Sequence, residues 1–239
     1  TYWLIWELTC RDYFRNYCKK YGSQVFLIGG AKGVNKPWNV DEESIRKWKT
    51  GTTGQPLVDA NMRELLYTGW MSNRGRQNVA SYLVHELGVD WRVGADHFES
   101  LLIDHDVCSN YGNWNAAAGL TGGRINKFNC VKQSSDYDPH AHYIRHWLPE
   151  LQHAPAPKIF QPSKFSVEEQ ERYCVVIGQD YPRELTPATS TLPPHNSVVS
   201  NGGGGGGERS GKVNGGRGGG KGSGRKGSSG NSSGGGNGG

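Results

Sequence analysis

The chain is 239 residues long, and its excess of positive charge is confined to one end. The formal net charge is +5, and residues 201–239 contain six Lys or Arg and one Glu, so the remaining residues are neutral overall. Charge therefore does not indicate a basic face on the rest of the chain. Five scattered cysteines without a CxxC pair are typical of a reducing compartment, and no apolar run is long enough to cross a membrane. We expect a soluble intracellular protein, with nucleus, cytoplasm and organelle left open.

The first 58 residues alternate between helical patterns and turns. Apolar residues at helical spacing predict a helix over Trp3–Tyr21. Because the chain starts inside this pattern, we expect a further N-terminal part of the protein to precede it. The stretch 26–37 is rich in Gly and predicts a loop. Asp41 is suited to cap a short helix, and Gly51–Pro56 predicts a turn before the next helix.

Beyond that turn the pattern is that of a helical array. Apolar spacing predicts three successive helices, the second near Gln77–Leu87 and the third near Ala95–Leu102. Only residues 25–28 and 173–177 have the composition of strands, and both are short. The combination predicts a mainly α fold, a non-bundle array of packed helices.

Composition divides the chain into three regions. Residues 1–160 are predicted to form the helical domain, and residues 161–200 a Pro-rich irregular extension that, together with the residues after Leu151, winds over the surface. Residues 201–239 are rich in Gly, Arg and Lys and are predicted to be a disordered tail. This tail resembles RGG-type segments that contact the backbone of single-stranded DNA or RNA, but it has no aromatic residue to stack on bases. A flexible solubilising extension explains its composition equally well.

Polar and aromatic residues are denser between Asp59 and Trp114 than a helical core requires. They indicate a ligand that is flat, polar at its edge and partly anionic. The motifs MSNRGR, DWR, DHD, SNYGNW and YDP follow in this order. In that order they resemble the flavin-binding helical domain of the photolyase/cryptochrome family, and NRGRQ and SNYGNW are most similar to its cryptochrome DASH branch. The resemblance covers about Trp3 to Leu151, and it implies the helical FAD-binding fold.

The resemblance implies FAD as the cofactor and assigns residues to it. A flavin ring needs apolar walls, hydrogen-bond partners at its edge and charges that tune its electronics. By resemblance, Asn110 faces the flavin N5, Arg76 and Asp104 pair beside the ring, Asp106 contacts the polar rim, and Arg11 lies near the phosphates or the ribityl chain. From the residues alone, Arg76 and Asp104 could equally be an ordinary surface pair. A folate-type antenna is implied for the N-terminal domain that we expect to precede this chain.

Three of the eight tryptophans match the tryptophan chain of the family. Tryptophan most often fills cores and interfaces, and that interpretation holds for most of the eight. The resemblance implies electron hopping from the surface at Trp38 through Trp91 to Trp114 beside the flavin, because an indole ring is easily oxidised.

The resemblance also implies a substrate. Glu7 and Asn73 match residues that hydrogen-bond a flipped pyrimidine dimer in DNA photolyases, which act by photoinduced electron transfer. Cys10 and Ala116 stand where photolyases commonly have tryptophans, and Gln77 replaces a common methionine, as in cryptochrome DASH. Each lost stacking contact weakens base binding by on the order of 1–3 kcal/mol. We therefore expect a deoxyribodipyrimidine photo-lyase that prefers single-stranded DNA.

Two other functional classes fit the same residues, and one motif suggests a metal site. A light-signalling photoreceptor could use the same flavin and tryptophans without repair, and a nucleic-acid-binding protein could act through the RGG-like tail. The pattern HxHxxxH at His140, His142 and His146 suggests a metal, but no nearby Cys or further His completes a site, so we expect exposed histidines and no metal. We expect a monomer with no membrane partner.

Overall fold

Helices and short turns make up almost all regular structure of residues 2–185, the part of the chain that this computed structural model describes. The mainly α fold predicted from the sequence is confirmed. The predicted tail at residues 201–239, with its DNA or RNA contacts, lies outside the described residues. None of the helices within residues 2–185 is both long and apolar enough to cross a membrane. The α-helices are α1 (Tyr2–Tyr21), α2 (Glu42–Thr50), α3 (Pro56–Thr68), α4 (Asn73–Ser81), α5 (Trp91–Leu101), α6 (Val107–Ala117), α7 (Cys130–Tyr137), α8 (His142–Trp147) and α9 (Val167–Arg172).

Helix α2 begins directly after the residue predicted to cap it. Asp41 accepts a hydrogen bond from the Glu43 N–H at 3.2 Å and caps α2. Gln55 caps α3 in the same way through the Leu57 N–H at 3.2 Å, with Pro56 in the first turn. The long helix predicted at the start of the chain is also present, as α1. Local sequence therefore determines where these three helices lie.

Both predicted strands are wrong. Residues 22–26 form a 3-10 turn because Val25 is drawn into a small apolar cluster with Tyr17 and Ala31, where it is buried. In the second segment, Cys174 has a left-handed backbone with φ 53°, which interrupts an extended conformation. Ile177 forms only an isolated bridge to Tyr181.

The helix predicted near 77–87 is present but changes its winding. It starts earlier, as α4, where Ser72 Oγ accepts a hydrogen bond from the Gly75 N–H at 3.0 Å. From Tyr82 to Glu86 it widens into a π-helical turn, and the Leu87 N–H donates to Tyr82 O at 3.1 Å. Periodicity at helical spacing does not distinguish this turn from an α-helix.

Two apolar cores stabilise the described region. The first lies among α2 to α6 and contains the fully buried Trp48, Leu65 and Trp91. The second joins α8 to the segment that follows it, and Leu151, Phe160 and Tyr181 are buried there. The predicted surface course after Leu151 is therefore wrong as far as residue 185, because the prolines bend this segment so that its apolar residues return to the core. The region bounds 160/161 and 200/201 stay predictions.

Two glycines allow α6 to pack closely against its neighbours. A Cβ on Gly94 of α5 would lie 2.2 Å from the Trp114 ring, and a Cβ on Gly112 would lie 2.2 Å from the Phe14 ring of α1. Carbon atoms do not approach so closely, so each aromatic ring fills the space that a side chain would need. The spacing of α1, α5 and α6 depends on these contacts.

Candidate functional site

A cavity of about 830 Å³ lies between α1, α4, α5, the loop 102–106 and α6. Its size is within the usual range for pockets that bind small molecules and cofactors. Eight of the ten residues predicted from the sequence line it: Glu7, Arg11, Asn73, Arg76, Asp104, Asp106, Asn110 and Trp114. Trp38 and Trp91 do not. Residues separated by up to 107 positions are thus brought to one hollow.

Arg76 and Asp104 form an ion pair on the cavity wall. One guanidinium nitrogen, Nη2, donates to both carboxylate oxygens at 2.8 and 3.0 Å. Arg76 Nε donates in addition to Met71 O at 2.9 Å, which holds the guanidinium in place. The Asp104 side chain is 49% exposed, so the pair alone contributes little stability. The pair is anchored to the backbone and lies on the cavity wall, and its role in binding FAD stays a prediction.

Asp106 and Asn110 lie at the start of α6. Asp106 accepts a hydrogen bond from the Ser109 N–H at 2.8 Å and caps the helix, and this bond lowers the pKa of the Asp106 carboxyl. Asn110 is buried, and its Nδ2 donates to Ala95 O at 3.0 Å, which orients the amide. Its Oδ1 accepts none of the hydrogen bonds formed among residues 2–185, so the site has an acceptor that a ligand can use.

Aromatic and aliphatic side chains form the apolar wall of the cavity. The Trp114 ring lies 5.2 Å from Phe98 and 6.2 Å from Trp48, both measured between ring centroids, and Leu102 lines the same wall. Trp48 Nε1 donates to Val79 O at 3.1 Å, which fixes this buried indole. The wall is therefore rigid and can pack against a flat ring.

The other two predicted tryptophans lie behind this wall. Trp91 is fully buried, its Nε1 donates to Ile28 O at 3.1 Å, and its ring lies 6.2 Å from Tyr111, one turn before Trp114. Trp38 is partly buried against the same core. The next residue, Asn39, donates its N–H to Gly88 O at 2.7 Å, so Trp38 lies beside the loop that leads into Trp91. The order and the role predicted for the three indoles stay predictions.

The predicted substrate residues face the same cavity from two helices. Glu7 is exposed on α1, and Asn73 is the first residue of α4. Cys10 and Gln77 line the cavity as well, whereas Ala116 does not. The Arg11 guanidinium donates to the neighbouring Asp12 carboxylate at 2.9 and 3.0 Å. A ligand that binds Arg11 would have to compete with this carboxylate.

Sequence reasoning missed three exposed tryptophans on the cavity wall. Trp3, Trp6 and Trp70 line it and are 68%, 50% and 46% exposed. Helical spacing could have identified Trp3 and Trp6, because they lie on the same face of the predicted helix as Glu7. Cys10 and Phe14 lie on that face as well. No comparable spacing identifies Trp70, which follows the turn at Gly69.

The three histidines lie away from the cavity. His140 and His142 are exposed, with ring centroids 5.7 Å apart, and the His146 ring contacts Trp147. Between residues 2 and 185, no group of three or more His, Cys, Asp or Glu side chains is arranged to hold a metal ion.

Comparisons with known proteins agree with this geometry. The profile of the FAD binding domain of DNA photolyase matches residues 3–191. A cryptochrome DASH from Synechocystis sp. is 55% identical over 185 residues, which are 77% of this chain and 38% of that protein. A cryptochrome DASH, chloroplastic/mitochondrial, from Ostreococcus tauri is 53% identical over 185 residues, 77% of this chain and 33% of the relative. The chain thus spans about two fifths or less of the length of these curated relatives.

A solved structure gives the same result. The crystal structure of the Synechocystis sp. cryptochrome superposes with a TM-score of 0.75 at 54% identity, covering 77% of this chain and 39% of that one. The helical FAD-binding fold and the resemblance derived from the sequence motifs are confirmed.

Proposed function

The chain belongs to the photolyase/cryptochrome family, and on that premise we propose that it is the FAD-binding helical region of a blue-light-absorbing flavoprotein of the cryptochrome DASH type. The proposed activity is repair of cyclobutane pyrimidine dimers in single-stranded DNA. Because the chain covers 38% of the Synechocystis relative, the activity of the whole protein belongs to the proposal.

One observation carries it: the residues assigned to the cofactor and those assigned to the substrate line a single cavity. Asn110, Arg76 and Asp104 are within that wall together with Glu7 and Asn73. Electron transfer between a cofactor and a bound lesion requires that the two lie in contact or nearly so. A shared hollow satisfies that requirement, whereas two separate pockets would not.

The side chains fit a flavin. Phe98, Leu102 and Trp114 offer an apolar wall, and Asn110 Oδ1 is free to accept a hydrogen bond at the ring edge. The Arg76–Asp104 pair would lie beside the flavin ring. The Arg76 cation would stabilise a ring that gains an electron, while the Asp104 carboxylate keeps the net charge of the pair at zero. FAD, when bound, supplies absorption of blue light and exchange of single electrons.

The three indoles would supply those electrons. We propose a path from Trp38 through Trp91 to Trp114, which ends at the cavity wall. Trp91 and Trp114 share the α5–α6 interface, where Gly94 brings the helices close. Both rings are buried, so little water surrounds them. Water would have to reorient whenever the charge moved from one ring to the other, and that reorientation would slow the transfer.

Glu7 and Asn73 would hold the dimer. A carboxylic acid and an amide can both donate to the carbonyl oxygens at the edge of a pyrimidine. Both residues are exposed at the cavity, so a flipped base can reach them. Glu7 would also stabilise the negative charge that the dimer gains before its two carbon–carbon bonds break. Flipping a dimer out of single-stranded DNA costs less than from a duplex, which favours that substrate.

A second candidate is a light-signalling photoreceptor without repair activity, and Cys10 favours it. This small side chain lines the cavity where photolyases commonly place a tryptophan, so the pocket has one aromatic surface fewer for a base. The same flavin and tryptophans would then serve light-driven reduction alone.

The test is loss of dimers from a UV-treated oligothymidine under blue light, with the full-length protein loaded with FAD. We expect light-dependent loss, and we expect Asn73→Ala to abolish it while flavin absorbance is retained. Asn16→Ala is the matched control, because Asn16 is an exposed α1 amide outside the cavity. Flavin photoreduction without any dimer loss would select the photoreceptor, and a protein that takes up no flavin would refute both.

A further inference from the structure

We propose that Lys36 opposes the last step of the tryptophan path by placing a positive charge against Trp38. Lys36 is not among the residues that the family resemblance assigns to the site. It would act through its positive charge, which determines where the charge on the tryptophan path comes to rest. The inference rests on the proposed function, because it concerns electron transfer along the same three indoles. After the flavin has taken an electron, the missing electron (the hole) would therefore be found mainly on Trp91 rather than on Trp38.

The first observation is the position of the ammonium group. Lys36 Nζ lies 4.4 Å from the centroid of the Trp38 ring, over the indole. Within residues 2–185, its only hydrogen bond is a long one to Ala118 O at 3.5 Å. Among the ion pairs of residues 2–185, none includes Lys36, so no carboxylate there neutralises its charge.

A second cation strengthens the local positive field. Burial and, after it, the positive charge of Lys127 lower the pKa of Lys36, so Lys127 contributes to the positive potential at the Lys36 ammonium. His85 lies close to the same pair, and burial, together with the charges of Lys36 and Lys127, lowers the pKa of its ring to about 4. The imidazole is therefore neutral near pH 7 and adds no charge to that of the two lysines.

The third observation concerns the indole proton of Trp38. Trp38 Nε1 is buried and has no hydrogen-bond partner within the described part of the chain, whereas Trp91 Nε1 donates to a backbone carbonyl. An indole that has lost an electron is a strong acid and is trapped when its N–H proton passes to water or to an acceptor. Trp38 Nε1 has no surface exposed to solvent and no acceptor among residues 2–185, so we expect the oxidised ring to keep its proton and its full positive charge.

The electron balance of the step follows from these contacts. One electron leaves Trp38 and fills the hole on Trp91, so Trp91 becomes neutral and Trp38 becomes a protonated radical cation. No proton moves. A cation over the face of an indole attracts its electrons before oxidation and repels the ring after it. Both effects favour return of the electron to Trp38, so the separated charges recombine quickly.

Transient absorption of the FAD-loaded full chain after a blue flash tests the proposal. We expect Lys36→Met to raise the yield and the lifetime of the Trp38 radical at least about tenfold, since it removes a unit charge at this distance. Lys36→Arg should retain wild-type behaviour. Lys20→Met is the matched control, because it removes a lysine that lies 5.3 Å from the Tyr21 ring, outside the path. Adding Trp38→Phe to Lys36→Met should cancel the gain.

Two further measurements separate the possible failures. If Trp91→Phe leaves flavin photoreduction unchanged, the proposed path itself is wrong. If Trp91→Phe abolishes photoreduction but Lys36→Met changes neither yield nor lifetime, only the role of Lys36 is overturned. Should Lys36→Met fail to fold, Lys127→Met replaces it, with a smaller gain expected.

The flavin-free chain provides an independent test. Hydrogen exchange of the Trp38 indole N–H, followed by NMR, should be slower than that of the exposed Trp3 and Trp70 indoles. Equal rates would show that water reaches this proton, and the proposal would then fail.

Discussion

Gly94→Ala is expected to destabilise the protein although it improves the local helix propensity. Gly94 lies inside α5, where replacing glycine with alanine ordinarily stabilises a helix by about 1 kcal/mol. The new Cβ, however, would lie 2.2 Å from Trp114 Cη2 and 2.6 Å from both Cζ2 and Cζ3. To reach an ordinary contact of about 3.5 Å, the ring would have to retreat by roughly 1.3 Å.

Movement of the ring is blocked on two sides, although the ring also lines the cavity. Phe98 and Trp48 pack against it from other sides, with centroids at 5.2 and 6.2 Å, and Trp48 is itself held by its bond to Val79 O. Overpacking of this kind costs about 1–3 kcal/mol or more. The clash therefore offsets the gain in propensity, and we expect a net loss of up to about 2 kcal/mol, or up to about 4–8 °C in Tm.

Thermal and urea unfolding followed by circular dichroism measure the loss, and tryptophan fluorescence reports the displaced indole. The matched control is Gly123→Ala, because the nearest atom to that Cβ is Thr121 Oγ1 at 3.7 Å. It should change stability by less than about 0.5 kcal/mol. A Gly94→Ala variant that is more stable than the wild type, with unchanged fluorescence, would refute the packing argument.

Three further changes test other parts of the fold. Cys174→Gly should stabilise by about 1 kcal/mol in urea unfolding, because Cys174 is exposed and holds a left-handed φ of 53°. Tyr181→Phe should cost about 1.5–3 kcal/mol in the same assay, since the Tyr181 hydroxyl donates to the buried Asp59 carboxylate at 2.7 Å. Burial, the largest cause at both sites, lowers the pKa of His85 and of His97 from 6.5 to about 4. The unfolded chain therefore binds more protons between these values, so the free energy of unfolding should fall as the pH drops from 6.5 to 4, by up to about 3 kcal/mol for each ring. Replacing both histidines with Gln should remove most of that pH dependence, and an unchanged slope would contradict the assignment.

Sequence patterns located the helices better than they located the core. The caps at Asp41 and Gln55 act through atoms a few residues away, so local chemistry is sufficient to place α2 and α3. Phe160 and Tyr181 are different, because they are buried by contacts with distant residues while prolines mark their segment as irregular. A prolyl turn predicts a change of direction without predicting whether the chain turns outward or inward.

For the site as well, the order of the motifs along the chain predicted which residues take part, but not which atoms they contact. Motif order was sufficient to select Arg76, Asp104 and Asn110, and the structure brings them to one cavity. It did not reveal that Asn110 Nδ2 is bonded to Ala95 O, which leaves only Oδ1 for a ligand. Nor did it reveal the cation over Trp38, because a lysine two positions from a tryptophan contacts its ring only in some backbone conformations.

The position of the candidate site depends on backbone spacing more than on the polar residues themselves. Asn110 is oriented by a carbonyl of α5, and Asp106 is held by the first turn of α6. The Asn110 bond to Ala95 O is 3.0 Å long only because α6 packs directly on α5, and that close approach requires that Gly94 has no side chain. A substitution there should therefore weaken cofactor binding without changing any group in contact with the ligand. Substitutions of exposed charges such as Asp104 should instead leave the spacing intact and change only the local field.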